Sequence, residues 1–168
     1  MLTHKQLDDA VAAGHLLQIA PRDGTMKRCL YITPQVRNDL LRFRADAGAK
    51  RASQLMELVN RFITGGLMIV AEKGDIKRLK PPPALDDWNI RSIQDPPFRI
   101  IGYFGRPDTF VGLLGKPRGE FRSHWLTQRT AARATWGALF PEIEPHHGHR
   151  IGDYVTENTD PDANQPVP

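Results

Sequence analysis

Prolines divide residues 81–117 into short pieces, and this division limits the fold of the chain more than any other feature of its sequence. Three consecutive prolines stand at 81–83, Pro96 and Pro97 follow, and Pro107 interrupts the next stretch. Because proline fixes φ and lacks a backbone N–H, it breaks helices and is excluded from central strands. The pieces between the breaks therefore predict three short strands in an antiparallel meander. They are residues 88–93, 98–104 and 109–114.

The N-terminal part predicts a short helix and a hairpin. Thr3 and Gln6 fit a capping box, in which the two side chains accept the unpaired backbone N–H groups at the start of a helix over residues 3–13. Asp23 and Gly24 then form a dipeptide that supplies the positive φ angles of a tight turn. The two strands predicted beside this turn are residues 15–20 and 28–32.

Two amphipathic helices follow, and Gly48 separates them. Thr33 is a suitable N-cap, and Pro34 is a suitable first helical residue because its missing N–H would be unpaired there in any case. Apolar residues recur at helical spacing on both sides of Gly48, until Gly65 and Gly66 end the pattern. These residues are Val36, Leu40, Phe43, Ala52, Leu55, Met56, Val59, Phe62 and Ile63. We expect an antiparallel helix pair.

A last helix is predicted from Ser123 to Phe140, with Pro141 directly after it. Trp125 and Trp136 lie on its apolar stripe, and we interpret them as core residues because large aromatic side chains at helical spacing pack inward. The expected fold class is α+β: a helix pair packed on a small antiparallel sheet, with a closing C-terminal helix.

Composition predicts one domain with a tail. With 168 residues, of which 40% are hydrophobic, the chain can bury one core, which we assign to residues 1–141 with the first helix and hairpin as an extension. Residues 142–168 have few apolar residues, so an acidic, largely disordered tail is expected. Cys29 is the single cysteine, and the apolar run 67–71 is far shorter than the roughly 20 residues of a membrane span. We expect a cytoplasmic protein with no membrane partner.

Charge is distributed unevenly along the chain. Residues 1–72 carry 10 basic and 7 acidic side chains, residues 73–133 carry 12 and 6, and residues 134–168 carry 1 and 6. The middle segment therefore has a net charge of +6 and the last segment −5. An excess of this size in the middle segment favours a polyanionic partner such as nucleic acid, although basic residues also solvate ordinary surfaces.

Three sequence motifs stand in the predicted strands. They are Trp88-Asn89-Ile90-Arg91, Phe98-Arg99-Ile100-Ile101, and Phe110 to Leu114 followed by Gly115-Lys116-Pro117-Arg118. These motifs resemble the RelE/ParE toxin superfamily, whose members often have an aromatic-x-aliphatic-Arg strand, an aromatic-Arg-aliphatic strand, and an apolar strand that ends in a basic residue. The resemblance covers residues 28–135, and the N-terminal helix and the tail lie outside it.

The resemblance implies a toxin that an antitoxin protein neutralises. In the RelE and HigB-like branch, it implies an endoribonuclease that cleaves messenger RNA on the ribosome without a metal or other cofactor. In the ParE-like branch, the target is DNA gyrase and no RNA is cleaved. We expect the RelE-like function, and the alternative is a non-enzymatic basic module that binds nucleic acid or protein, such as a gyrase inhibitor or a phage accessory protein.

The resemblance also assigns site residues. Arg91 and Arg99 would neutralise the scissile phosphate, and alternation along the strands allows their faces to coincide. The tyrosine that family members often have after the last strand is absent here, and His124 is the proposed proton-transfer residue, since an imidazole exchanges protons near neutral pH. His124 also fits an ordinary helix start, and the two arginines also fit solvated strand positions. The residues expected to bind RNA are Lys77, Arg78, Lys80, Lys116, Arg118, Arg129 and Arg133.

Three histidines near the C-terminus raise the question of a metal site. His146, His147 and His149 are potential zinc ligands. Near-adjacent histidines do not readily converge on one ion, and no cysteine stands near them. We therefore expect no metal site there.

Overall fold

A mixed six-stranded sheet lies at the centre of the computed structural model, which describes residues 1–69, 75–79, 88–91, 98–121 and 125–157. The described strands are β1 (Leu17–Gln18), β2 (Cys29–Ile32), β3 (Ile76–Arg78), β4 (Trp88–Arg91), β5 (Phe98–Arg106) and β6 (Thr109–Pro117). The described helices are α1 (His4–Ala12), α2 (Pro34–Ala47), α3 (Ala49–Ile63), α4 (Arg118–Phe121) and α5 (Trp125–Leu139).

The described strands lie in the order β1-β2-β6-β5-β4-β3. Strands β4, β5 and β6 form the predicted antiparallel meander, and the α+β class is confirmed. Strand β6 pairs with β2 in parallel, with Leu30 opposite Phe110, so this sheet is mixed rather than antiparallel throughout. The parallel pair arises because the chain leaves β2 through α2 and α3 and returns beside it only with β6, which is the crossover that parallel neighbours need.

The predicted helix pair, α2 and α3, packs on one face of the sheet. The hydroxyl of Thr33 accepts the N–H of Val36 at 3.3 Å, and Pro34 is the first residue of α2. Gly48, with φ of 85°, separates the two helices as a single residue. A positive φ is readily accessible only to glycine. The cluster buried between helices and sheet includes Val36, Phe43, Leu55, Val59, Phe62, Trp88, Ile90, Phe98, Ile100 and Phe104.

Helices α1 and α5 cover the other face. The capping box of Thr3 and Gln6 forms as predicted, and the N–H of Leu2 donates to the carbonyl of Gly105 at 2.9 Å, which fastens the N-terminus to β5. Trp136 is buried in this layer and packs against Tyr103 with ring centroids 5.4 Å apart. The second cluster includes Leu7, Ala10, Leu16, Tyr31, Ile101, Tyr103, Val111, Leu113, Ala132, Trp136 and Phe140.

Residues 142–157 differ from the predicted disordered tail. Tyr154 and Val155 are buried, and the Tyr154 ring packs against Trp88 and Phe104 with centroids 4.7 Å and 5.3 Å away. The N–H of His146 donates to the carbonyl of Phe104 at 2.7 Å. This segment needs no core of its own because its few apolar residues join the core that the sheet and α3 already form. Residues 158–168 lie outside the described residues.

Arg28 is a buried cation that joins four parts of the fold. Its guanidinium donates to the carbonyls of Phe62 and Gly66 at 3.3 Å and 3.1 Å, and to the carbonyl of Glu157. Its Nε lies 3.4 Å from a carboxylate oxygen of Asp108, in the turn between β5 and β6. Burial lowers the pKa of Arg28, which the Asp108 charge partly offsets.

Candidate nucleic-acid interface

The strand register aligns three basic residues across β4, β5 and β6. Arg91 lies opposite Arg99, and Arg99 lies opposite Lys116. Residues directly opposite one another in an antiparallel sheet belong to the same face, with Cβ atoms about 4.5–5.5 Å apart. The backbone register thus aligns Arg91, Arg99 and Lys116 across three adjacent strands, and we call these three residues the basic row.

A β-bulge in β6 brings Lys116 into the basic row. Gly102 lies opposite Gly112, but the preceding residue Ile101 lies opposite Leu114, so one extra residue of β6, Leu113, stands between the two pairs. Since side chains alternate between faces, a shift of one residue moves every later side chain of β6 to the other face. With an unbroken register, Arg99 would lie opposite Gly115 and Lys116 would lie on the α2/α3 face.

Two glycines permit the close approach of the strands at this bulge. A Cβ atom on Gly102 would lie 1.9 Å from the carbonyl oxygen of Val111. A Cβ atom on Gly112 would lie 2.6 Å from the side chain of Ile100. No side chain fits at the first position without displacing backbone, so the bulge and the position of Lys116 depend on Gly102.

Arg99 faces away from the α2/α3 core because its two neighbours, Phe98 and Ile100, are buried in that core. Its guanidinium carbon lies 5.6 Å from the ring centroid of Trp125, the first residue of α5, within the range of a cation–π contact. Trp125 is half-buried against the α1/α5 cluster, as expected of a core residue. It also holds the guanidinium of the basic row in place, which the sequence did not indicate.

Lys116 lies beside a carboxylate that the sequence-based assignment missed. Its Nζ is 3.5 Å from an Oε atom of Glu120 in α4, and the two side chains are 26% and 51% exposed. An exposed pair of this kind contributes at most about 1 kcal/mol to stability and separates readily when a stronger anion arrives. The spacing of four residues between Lys116 and Glu120 was a signal that the sequence contained. It indicates a contact only once Lys116 is known to lie near the end of a strand that α4 follows directly.

Lys77, on edge strand β3, lies opposite Asn89, which is two residues from Arg91 along β4. By this register, Lys77 belongs to the face of the basic row. Arg78, the next residue of β3, lies opposite Trp88 in the backbone register. Arg118 begins α4, directly after β6. Lys80 and His124 lie outside the described residues.

The two arginines of α5 that were predicted to bind RNA are a buried residue and a residue paired within the fold. Arg129 is buried at 4% exposure, so it presents no surface to RNA in this conformation. Arg133 forms an ion pair with Glu144, and its guanidinium carbon lies 6.0 Å from the ring centroid of Tyr103. Helical spacing placed both arginines away from the tryptophan stripe, but α5 is covered on more than one side, by the sheet and by the segment after Pro141.

Among the described residues, Glu120 is the carboxylate found next to the basic row. Burial, and then neighbouring groups, raise the pKa of Tyr31, which keeps its hydroxyl protonated and so unable to act as a base. Tyr31 also lies in β2, two strands from Arg99.

Two of the C-terminal histidines, His146 and His149, form hydrogen bonds within the turn in which they lie. A ring nitrogen of His146 is 2.8 Å from the carbonyl oxygen of Asp153, and its ring packs on Tyr154. The backbone N–H of His149 donates to the Asp153 carboxylate at 2.7 Å. Within the described ranges, no three histidine, cysteine or acidic side chains converge on a common point.

Comparisons of the chain with protein-family models, with curated proteins and with solved structures return no match in any of the three. None of the helices in the described part of the chain combines the length and hydrophobicity needed to cross a membrane.

Proposed function

We propose that this chain binds RNA through the basic row and cleaves it without a metal ion, as the toxin of a toxin–antitoxin pair acting on messenger RNA at the ribosome. The observation that carries the proposal is the alignment of Arg91, Arg99 and Lys116 on three adjacent strands. Like charges directly opposite one another destabilise a sheet. A phosphate bound along the row would add to the negative charge that Glu120 already supplies at Lys116.

The row suits the charge that develops during RNA cleavage. When the 2′-oxygen attacks the neighbouring phosphorus, the 2′-hydroxyl gives up its proton, the bond to the 5′-oxygen breaks, and that oxygen takes up a proton. The products are a 2′,3′-cyclic phosphate and a 5′-hydroxyl. This step consumes no water, and side chains alone can make its proton transfers. Cations that contact the phosphorane oxygens stabilise the added negative charge of the transition state.

Glu120 and His124 are the two groups that the proposal assigns to proton transfer. The Glu120 carboxylate lies beside Lys116 and would accept the proton of the 2′-hydroxyl when phosphate displaces it from the lysine. His124 follows four residues later in the sequence and would protonate the leaving oxygen.

The order of elements also supports the proposal. A strand, two helices, a three-strand meander and a closing helix follow one another as β2, α2, α3, β4 to β6 and α5. This is the order that the local sequence patterns predicted, and the RelE-like motifs stand within it. The proposed antitoxin partner rests on the same resemblance, and the proposed cytoplasmic location rests on the single cysteine and the short apolar run 67–71.

A second candidate function is RNA or DNA binding without cleavage. Two observations favour it. Arg129 is buried and adds no cation beside the row, and Arg99 contacts Trp125 at the start of α5, so the basic surface is a narrow strip beside that helix. Such a strip can follow one phosphate backbone with no catalytic group aligned.

Incubation of the purified chain with single-stranded RNA in excess EDTA distinguishes the two functions. The proposal predicts fragments with 2′,3′-cyclic phosphate ends. Arg99→Ala is expected to lower cleavage more than RNA affinity, and Glu120→Gln is expected to lower cleavage by about 10²–10⁴-fold with affinity retained. Arg22→Ala, at an exposed arginine of the β1–β2 loop, is the matched control and should leave both unchanged.

Binding without fragments, both on free RNA in EDTA and on ribosome-bound messenger RNA in a buffer that contains Mg²⁺, would select the second candidate. Cleavage that EDTA abolishes would contradict the metal-independent mechanism. For the toxin role, expression of the parent chain should arrest growth, and expression of Arg99→Ala at the same level should not.

A further inference from the structure

An apolar groove lies between α2, α3 and the β1–β2 hairpin, on the opposite side of the sheet from the basic row. Its volume is about 440 Å³. Its walls include Leu40 and Leu41 from α2, Leu55 and Met56 from α3, and Leu17 from β1. Two of these side chains are largely in solvent, Leu41 at 52% and Met56 at 44% exposure. Contiguous apolar surface of this kind marks an interaction site more often than scattered single residues do.

The charged residues at the groove are all of one sign. Apart from Gln18, the polar lining residues are Arg37 and Arg44, and both are exposed. Neither arginine forms an ion pair or a side-chain hydrogen bond with another described residue. They stand seven residues apart on α2, which places them two turns and about 10.5 Å apart on one side of the helix. The groove therefore offers an apolar floor with two unneutralised cations along one rim.

We propose that this groove binds an acidic amphipathic helix of a partner protein. Apolar side chains of that helix, spaced i, i+3 or i+4, and i+7, would enter the groove and cover Leu41 and Met56. Two carboxylates on its flank, also seven residues apart, would pair with Arg37 and Arg44. RNA does not fit this description, because the surface between the two cations is apolar. The proposal uses no residue of the basic row and stands independently of RNA cleavage.

Selection of a peptide library on the purified full-length chain tests the proposal. The library holds a helix with leucines fixed at i, i+4 and i+7 and with flanking positions randomised. The expected result is enrichment of Asp and Glu at two flanking positions seven residues apart, with affinity lowered at least tenfold by the charge reversals Arg37→Glu and Arg44→Glu together. Leu41→Glu should abolish binding, since it places a charge within the apolar floor.

Lys5→Glu, an equal charge reversal on α1 at the opposite face, is the control and should leave peptide affinity unchanged. All of these substitutions are at exposed positions, and thermal unfolding checks that each variant remains folded. No enrichment of acidic flanks, or enrichment that persists on the Arg37→Glu and Arg44→Glu double variant, would overturn the proposal. So would concentration-dependent self-association that Leu41→Glu abolishes, because the occupant would then be a second copy of the chain.

Discussion

Arg28 shows how one buried charge holds together parts of the chain that are distant in sequence. Its guanidinium contacts carbonyls at the C-terminal end of α3 and in the C-terminal segment, and it pairs with Asp108 at the β5–β6 turn. Asp108 in turn accepts the backbone N–H of Thr156 at 3.0 Å. The hydrogen bonds and the ion pair of Arg28 offset the cost of removing its charge from water. Replacing Arg28 by an apolar residue would leave several buried acceptors unpaired.

We predict that Arg28→Met lowers the free energy of unfolding by about 3–5 kcal/mol, the usual effect of removing one partner of a buried charge pair. Urea denaturation of the parent and the variant measures the change. Asp108→Asn and the double variant complete a mutant cycle, in which non-additivity of more than about 0.5 kcal/mol is expected for residues in contact. A loss below about 1 kcal/mol would show that Arg28 does not hold these distant parts of the chain together.

The site residues differ in how far the sequence could predict them. Alternation along two strands only allowed Arg91 and Arg99 to come together, and the register of β4 against β5 is what places them opposite one another. Lys116 could not be placed, because its face depends on a bulge that arises from close packing at Gly102 and Gly112. Arg129 was assigned to RNA, but the structure buries it, since helical periodicity does not show how many sides of a helix are covered.

At the scale of secondary-structure elements, local signals predicted most of the fold. The capping box of α1, the Thr33-Pro34 start of α2 and the prolines around the meander act within a few residues, so they can be recognised without the tertiary structure. The parallel pairing of β2 with β6 and the packing of residues 142–157 depend on contacts between distant segments. Tyr154 could not be assigned to a core whose other members, Trp88 and Phe104, lie more than 45 residues away.

The bulge between β5 and β6 is the element on which the basic row depends. We predict that Gly102→Ala destabilises the chain by about 1–3 kcal/mol, because its Cβ would overlap the Val111 carbonyl and force the backbone to move. RNA affinity should fall as well, since the register that places Lys116 opposite Arg99 is lost. Thermal unfolding and RNA titration measure the two effects.

Gly137→Ala is the control for the glycine substitution. Gly137 lies in α5, and an added Cβ would have no atom within 4 Å apart from the adjoining backbone of its own helix. Alanine should therefore be neutral or stabilise the helix by up to about 1 kcal/mol. Equal stability and RNA affinity for Gly102→Ala and the parent would contradict the role that we assign to the bulge.

At the scale of the whole molecule, the sheet separates two surfaces of different character. One face carries the basic row beside the N-terminal end of α5, and the other carries α2 and α3 with the apolar groove. An RNA on the first surface and a protein helix on the second would not compete for the same residues. Partner binding would then affect RNA binding only through a conformational change of the sheet or of α5.

The salt dependence of RNA affinity tests most directly whether the basic row binds phosphate. For a single strand, the slope of log K against log salt concentration changes by about 0.7 for each phosphate contact. We predict that Arg99→Ala and Lys116→Ala each make the slope shallower by about 0.7, and that Arg22→Ala leaves it unchanged. Unchanged slopes in both row variants, or no RNA binding by the parent chain even at low salt, would contradict the account.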